Sequence, residues 1–292
     1  MVAVRCFAPA PLEAPMPMQP TATTTAAAGP QPAVGDMLRR WRSRRRRSQL
    51  DLALDVGVST RHLSCIETGR ARPSPAMLEA LAGALDVPLR ERNRLLLAAG
   101  YAPRYAERRL DDAGMQQVRS ALDRLLRAHA PNPGLVLDRQ WNVVLANPSA
   151  LALAALLPDH LKQPTFNVFR ASLHPQGLAA LTENLADWAG YLLQTLRRAI
   201  ATSGDPALVA LEQEVLAYPN MAALAPGAAA EAPAEPPLLV PCVLRLPQGR
   251  LAMFTTLTTF GTPRDITLDE LSIELFYPAD DSSGALLRAL AA

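Results

Sequence analysis

The sequence predicts a multidomain protein: an all-α domain of five short helices, then an α+β domain with an antiparallel sheet. Three observations carry this reading. Between residues 35 and 100, apolar residues recur at helical spacing in short bursts, each opened by a capping residue and several closed by glycine. Beyond residue 134, short runs rich in Val, Leu and Thr alternate with longer helical stretches. Charge divides the same way. Residues 35–110 hold 16 arginines against 8 acidic residues, whereas the remainder holds 13 basic against 19 acidic, within a net charge of only +2. The 292 residues fit roughly two domains.

Residues 1–34 contain seven prolines among Ala, Thr and Met with almost no charge. They cannot bury enough apolar surface to offset ordering entropy, so a disordered tail is expected. Translation starting at Met16, Met18 or Met37 is the alternative. Order begins near Gly35-Asp36. A basic helix over 37–48 follows, anchored inward by Leu38 and Trp41. Ser48 caps the next helix, with Asp51 at the third helical position. Leu52 and Val56 share its apolar face, and Ala53 sits where a second helix crosses closely. Gly57 ends the helix at positive φ. Val58 fills the corner, Ser59 caps the next helix, and Leu63 and Ile66 point into the core. Over Gln49–Gly69 this pattern is a helix-turn-helix, much narrower than amphipathicity alone. After the Arg70–Pro73 loop, Ser74 caps a fourth helix with Pro75 at its first position and Leu78, Leu81, Ala82 and Leu85 on its apolar face. A fifth, about Leu89–Ala99, carries Leu95, Leu96 and Leu97 and stops at Gly100.

Residues 101–115 read as a linker to a second domain at 116–292. A helix over 116–129 precedes the Pro131–Gly134 turn, and two apolar runs around Asp138-Arg139-Gln140 form a β-hairpin. Helices are expected at 148–157, 177–202 and 206–217, and a long Pro/Ala-rich loop at 219–237. Strand character returns in 238–247, in 250–261 and more weakly in 270–278. Helices against one face of such a sheet would enclose an apolar pocket.

Cys6, Cys65 and Cys242, and His62, His129, His160 and His174, are too scattered for a metal site or a disulfide framework. No apolar run approaches a membrane span and no signal peptide is apparent, so a cytoplasmic protein without membrane contact is expected. No nucleophile elbow, phosphate loop, HExxH or carboxylate pair occurs. His174 and Asp187 lack an activated nucleophile to serve. Neither catalysis nor a cofactor is expected.

DNA is the partner this chemistry fits. Thr60, Arg61, Ser64, Cys65 and Thr68 fall on one helix face, opposite Leu63 and Ile66. Arg61 is the best base reader, because a guanidinium pairs bidentately with guanine O6 and N7. Gln49 stands where its amide can clamp a phosphate, and Arg44, Arg47, Arg70 and Arg72 are further phosphate candidates. The arginine run taken alone is equally a solvated helix face; beside this motif, backbone contact is the favoured reading. Glu67 reads as a structural partner for a nearby Arg, and Cys65 as an inert small side chain.

With these residues, VSTRHLSCIETGRARPSP above all, the region 36–100 resembles the Cro/CI-type helix-turn-helix, or xenobiotic-response-element family. The resemblance implies that Gln49 touches phosphate and that Ser59, Thr60, Arg61, Ser64 and Cys65 face the operator. Cys65 is smaller than the residue many relatives carry there. Further on, LDRQWNVVLAN, SLHPQGL, LTENLADWAGYLL and FGTPRDITLDELSIELFYPAD resemble, in the same order, the regulators with a C-terminal MmyB-like ligand-binding domain, over about 36–285. This implies a PAS-like fold with an apolar cavity for a small hydrophobic, acyl-chain-like ligand. The cavity candidates are Trp141, Asn147, Phe166, Phe169, His174, Trp188, Leu192, Phe254 and Phe260. Each also has a plainer reading: the aromatic residues as core, Asn147 as a helix cap, His174 as a turn residue. The function expected is a homodimeric, ligand-responsive regulator on a palindromic double-stranded operator. The alternative is a second domain that binds a partner protein, as an antitoxin or scaffold would.

Overall fold

The computed structural model describes residues 33–224 and 238–291. The tail expected at 1–34 lies almost wholly outside the described residues, as does most of the loop expected at 219–237. Five helices open the structure: α1 (Val34–Arg44), α2 (Gln49–Asp55), α3 (Thr60–Glu67), α4 (Pro75–Ala84) and α5 (Leu89–Ala98). Capping sets their starts. Ser48 and Asp51 form a reciprocal capping box on α2, Ser59 accepts from the His62 amide, and Ser74 accepts from the Met77 amide behind Pro75. Gly57 and Gly69 turn the chain at φ of 70° and 72°. Leu38, Leu52, Leu63, Ile66, Leu78, Leu81 and Leu95 are fully buried together.

One expectation needs correction. The basic helix starts at Val34 and stops at Arg44, not at 48, because Arg46 takes positive φ to lead into the Ser48 cap. On the fifth helix Leu95 and Leu96 are buried and Leu97 is exposed, since three successive residues cannot share one helix face.

The segment after α5 is packed. The Asn93 carboxamide oxygen accepts from the Arg104 and Tyr105 amides at 2.9 and 3.0 Å, and its nitrogen donates to the Tyr105 carbonyl. Ala106 bridges to Asp265, and Leu110 and Met115 are buried.

The rest is α+β: α6 (Gln116–Ala128), β1 (Gly134–Leu137), β2 (Val143–Ala146), α7 (Pro148–Ala154), α8 (Val168–Leu173), α9 (Leu185–Ser203), α10 (Pro206–Leu216), α11 (Pro219–Ala222), β3 (Cys242–Leu246), β4 (Gly249–Thr259), α12 (Ile266–Glu270), β5 (Ser272–Pro278) and α13 (Asp281–Ala291). The antiparallel sheet runs β2-β1-β5-β4-β3. The strand weakest in sequence, β5, is thus central. It has a core on each side, so it lacks the polar alternation that marks a half-exposed strand. Val136 and Ile273 face α6 with Leu122 and Leu126. Leu135, Cys242, Leu244 and Met253 face α7–α10 with Phe169, Trp188 and Leu192. The helix expected over 177–202 breaks in two, because Thr182 bridges to Leu244 and Asn184 binds the edge of β3, leaving a short 3-10 turn at Leu178–Leu181. Helices α8, α11, α12 and α13 were not foreseen, and α11 occupies the start of the loop expected at 219–237. Helix α13 docks on β4 through Ser283, whose hydroxyl accepts from the Ala252 amide at 2.9 Å.

Candidate nucleic-acid interface and ligand cavity

One ion pair sets the pose of α3. Glu67, 5% exposed, accepts from Arg42 Nε and Nη2 at 2.6 and 2.9 Å and from Gln49 Nε2 at 2.7 Å. Burial opposes ionisation of Glu67, but the Arg42 and Gln49 hydrogen bonds outweigh it and hold the carboxyl below its ordinary value. The clamp ties α1, α2 and α3 together, in the structural role expected of Glu67. It also commits the Gln49 amide nitrogen inward, where a phosphate contact had been expected. Gly35 lets α1 approach: a Cβ there would lie 2.6 Å from the Glu67 carbonyl oxygen.

Away from the clamp on α3, Arg61 is exposed and Ser64 and Cys65 are half-buried, while Thr60, two turns before Glu67 at the helix start, is half-buried as well. Ser59 caps the helix, and the Thr68 hydroxyl donates back to the Ser64 carbonyl at 2.8 Å. Arg70 is exposed just beyond. The other phosphate candidates are engaged elsewhere. Arg72 donates twice to the Ala99 carbonyl, closing α5, and lies over the Tyr101 ring. Arg47 pairs with Asp55. Arg44 lies over Trp41 and against Gly204, where a Cβ would collide with its guanidinium. Arg44 therefore faces the second domain, which corrects its assignment. The run 44–47 is not one stripe, because the helix ends inside it.

The second domain has a small, partly open apolar cavity of about 70 Å³ between the sheet and α7–α9. Leu135, Cys242, Leu244, Met253 and Phe276 form the sheet side, and Ala150, Leu153, Phe166, Val168, Ala171, Leu178 and Trp188 the helical side. Of the nine candidates, Phe166 and Trp188 line it. Phe169 and Leu192 are core behind it. Trp141 packs on Phe169 with ring centroids 5.0 Å apart and faces the cleft between domains. Asn147 is a buried cap, accepting from the Ala150 and Gly134 amides. His174 meets His160 and Tyr218 edge-on. Phe254 stacks on Tyr277, and Phe260 packs against α6, both on the other face of the sheet. Strand parity, which decides these last two, could not be fixed before the register was known.

Sequence reasoning missed Glu274. It sits on β5, pairs across to Leu135 and Leu257, is 3% exposed and lines the cavity. Its Oε1 accepts from Thr255 Oγ1 at 3.0 Å, while Oε2 has no partner. Burial raises its pKa to about 7 against a weaker opposing Thr255 hydrogen bond. A lone acid inside the apolar run ELSIELFYP was the available signal.

A charged cleft of about 810 Å³ lies between the domains, lined by Arg40, Arg44 and Arg90 on one side and Arg139, Asp205 and Glu270 on the other. The contact across it is specific. Asp269 accepts from the Leu89 amide at 2.9 Å, capping α5, whose own N-cap, Pro88, supplies no side-chain acceptor. Arg90 grips Glu270 through Nε and Nη2 at 2.6 and 2.8 Å.

A helix-turn-helix with an exposed reading face, joined to an α+β domain with an apolar cavity, defines a DNA-binding transcription regulator with a ligand-sensing domain. A family model for the MmyB-like transcription regulator ligand binding domain matches residues 118–290, and one for a helix-turn-helix domain matches residues 33–95. The chain belongs to the MmyB-like family, as its resemblance implied. Among curated proteins no match is found. Among the described residues, no helix is long and apolar enough to cross a membrane.

Proposed function

We propose that this regulator senses a small hydrophobic ligand in the cavity beneath the sheet and reports its occupancy to α3. It would work as a cytoplasmic homodimer on a palindromic operator, with Arg61 reading bases and Arg70 holding phosphate. The observation that carries the proposal is the continuity of β5 with α12. Glu274 lines the cavity on β5; four and five residues earlier, Glu270 and Asp269 hold Arg90 and the first amide of α5. Helix α5 packs in turn on α1 and α4, and α1 on α3. A ligand that shifts β5 thus has a short mechanical route to the DNA-reading face, provided it prefers one of two states. At about 70 Å³ the cavity accepts a short chain or the end of a longer one.

The test is native mass spectrometry of the purified full chain, followed by operator titration with and without the released molecule. A coupled ligand should change operator affinity about 5- to 150-fold. In Arg90→Ala it should still bind while the change in operator affinity collapses. A co-purifying protein at fixed ratio, with no retained small molecule, would favour the partner-protein alternative.

A further inference from the structure

Among the described residues, Glu274 is the one acid that lines the cavity, and no Arg, Lys or His side chain lines it as a counter-ion. Among buried polar atoms left without a partner in the described residues, Glu274 Oε2 alone belongs to a cavity-lining side chain. Its surroundings do not relieve it. Thr255 on β4 serves Oε1, Cys242 on β3 is a thiol that burial pushes up to about 12, and Leu135 on β1 is apolar. Tyr191 on α9 adds a phenol that burial holds protonated. A buried carboxylate oxygen with no donor is costly to keep. A donor delivered with a ligand removes that cost.

We infer that the cavity takes a short apolar amine, its hydrocarbon body against Phe166, Trp188 and Met253 and its ammonium N–H donating to Glu274 Oε2. This rests on the reading of the cavity as the sensing site, and adds the chemistry of the ligand's head. A carboxylate-headed chain of the same length meets Glu274 as a like charge, with no cation among the described wall residues to answer it. Size follows from volume. A cavity of about 150 Å³ takes benzene, with six heavy atoms, so this one, at about 70 Å³ and partly open, buries about three, the head and first carbons of a butyl or pentyl amine whose end reaches the open side.

The test is calorimetry on the full chain, near pH 8, with n-pentylamine, pentan-1-ol and pentanoate. Pentylamine should bind about ten-fold or more tighter than pentan-1-ol, with pentanoate weakest. Glu274→Gln should abolish the advantage of the amine and leave pentan-1-ol within about two-fold. Thr255→Val, which removes a protein donor and keeps the acid, should retain the preference for the amine. Equal binding of amine and alcohol, tighter binding of pentanoate, or an amine preference that survives Glu274→Gln would overturn the anchor while leaving an apolar sensing site. Binding of none of the three would overturn the anchor and count against the cavity as a sensing site for small ligands.

Discussion

Replacing Glu274 by Gln should change how stability depends on pH, and the size of the change can be worked out. In the unfolded chain this carboxyl titrates near 4.5; in the folded protein burial moves it to about 7. Below pH 4.5 it is protonated in both states and costs nothing. As pH rises toward 7, the unfolded state ionises first and gains free energy that the folded state cannot match, so the folded protein loses stability. Above pH 7 the loss is complete, at about 3 kcal/mol. Gln has the same shape and no titration, so it escapes the loss. Between pH 5 and pH 8 the stability of Glu274→Gln relative to wild type should therefore improve by roughly 2.5 kcal/mol. Cys242 and Tyr191, the titratable neighbours, ionise well above this window. Urea unfolding of ligand-free protein at both pH values, followed by fluorescence of the three buried tryptophans, measures the difference. Parallel pH profiles for the two proteins would refute the account, and would mean that Glu274 ionises freely in the fold.

Two further outcomes bear on the DNA-binding domain. Arg61→Ala should lose roughly 1–3 kcal/mol of discrimination between operator and random DNA, whereas Arg70→Ala should weaken both and lower the salt slope by about one; fluorescence anisotropy across a salt series separates them, and equal loss of specificity in both would sink the assignments. Gly35→Ala should destabilise the domain by about 1–3 kcal/mol in thermal melts, despite alanine's better helix propensity, because the added Cβ meets the carbonyl end of α3; a neutral result would show that α1 can yield.

The helix-turn-helix was legible because its determinants are local. Ser48 with Asp51, Gly57, Ser59 and the Leu63/Ile66 pair each act within one turn of themselves, and each does what its position implied. The family resemblance extended that reading to the α+β class of the second domain. What stayed hidden depends on distant partners. Arg72 and Arg44 looked equivalent to Arg70 until the fold brought the Ala99 carbonyl to one and Trp41 and Gly204 to the other. Phe254 and Phe260 looked like cavity residues until the pairing of β4 with β5 set their face. Glu274 sits in a strand whose neighbours are apolar on both sides, so no periodicity separates an inward acid from an outward one.

The cap that Asp269 places on α5 limits how this protein can be re-engineered. Residues 101–115 invite a cut, as the obvious seam at which to transplant the sensor onto another DNA-binding domain. Such a graft would strip α5 of its N-terminal acceptor, leave Arg90 without Glu270, and lay Leu110 and Met115 open to water. Moving the junction upstream of Pro88 is no remedy, because Leu95 and Leu96 of α5 belong to the helical domain's own core, so sensor and DNA-binding domain are best transferred as one unit.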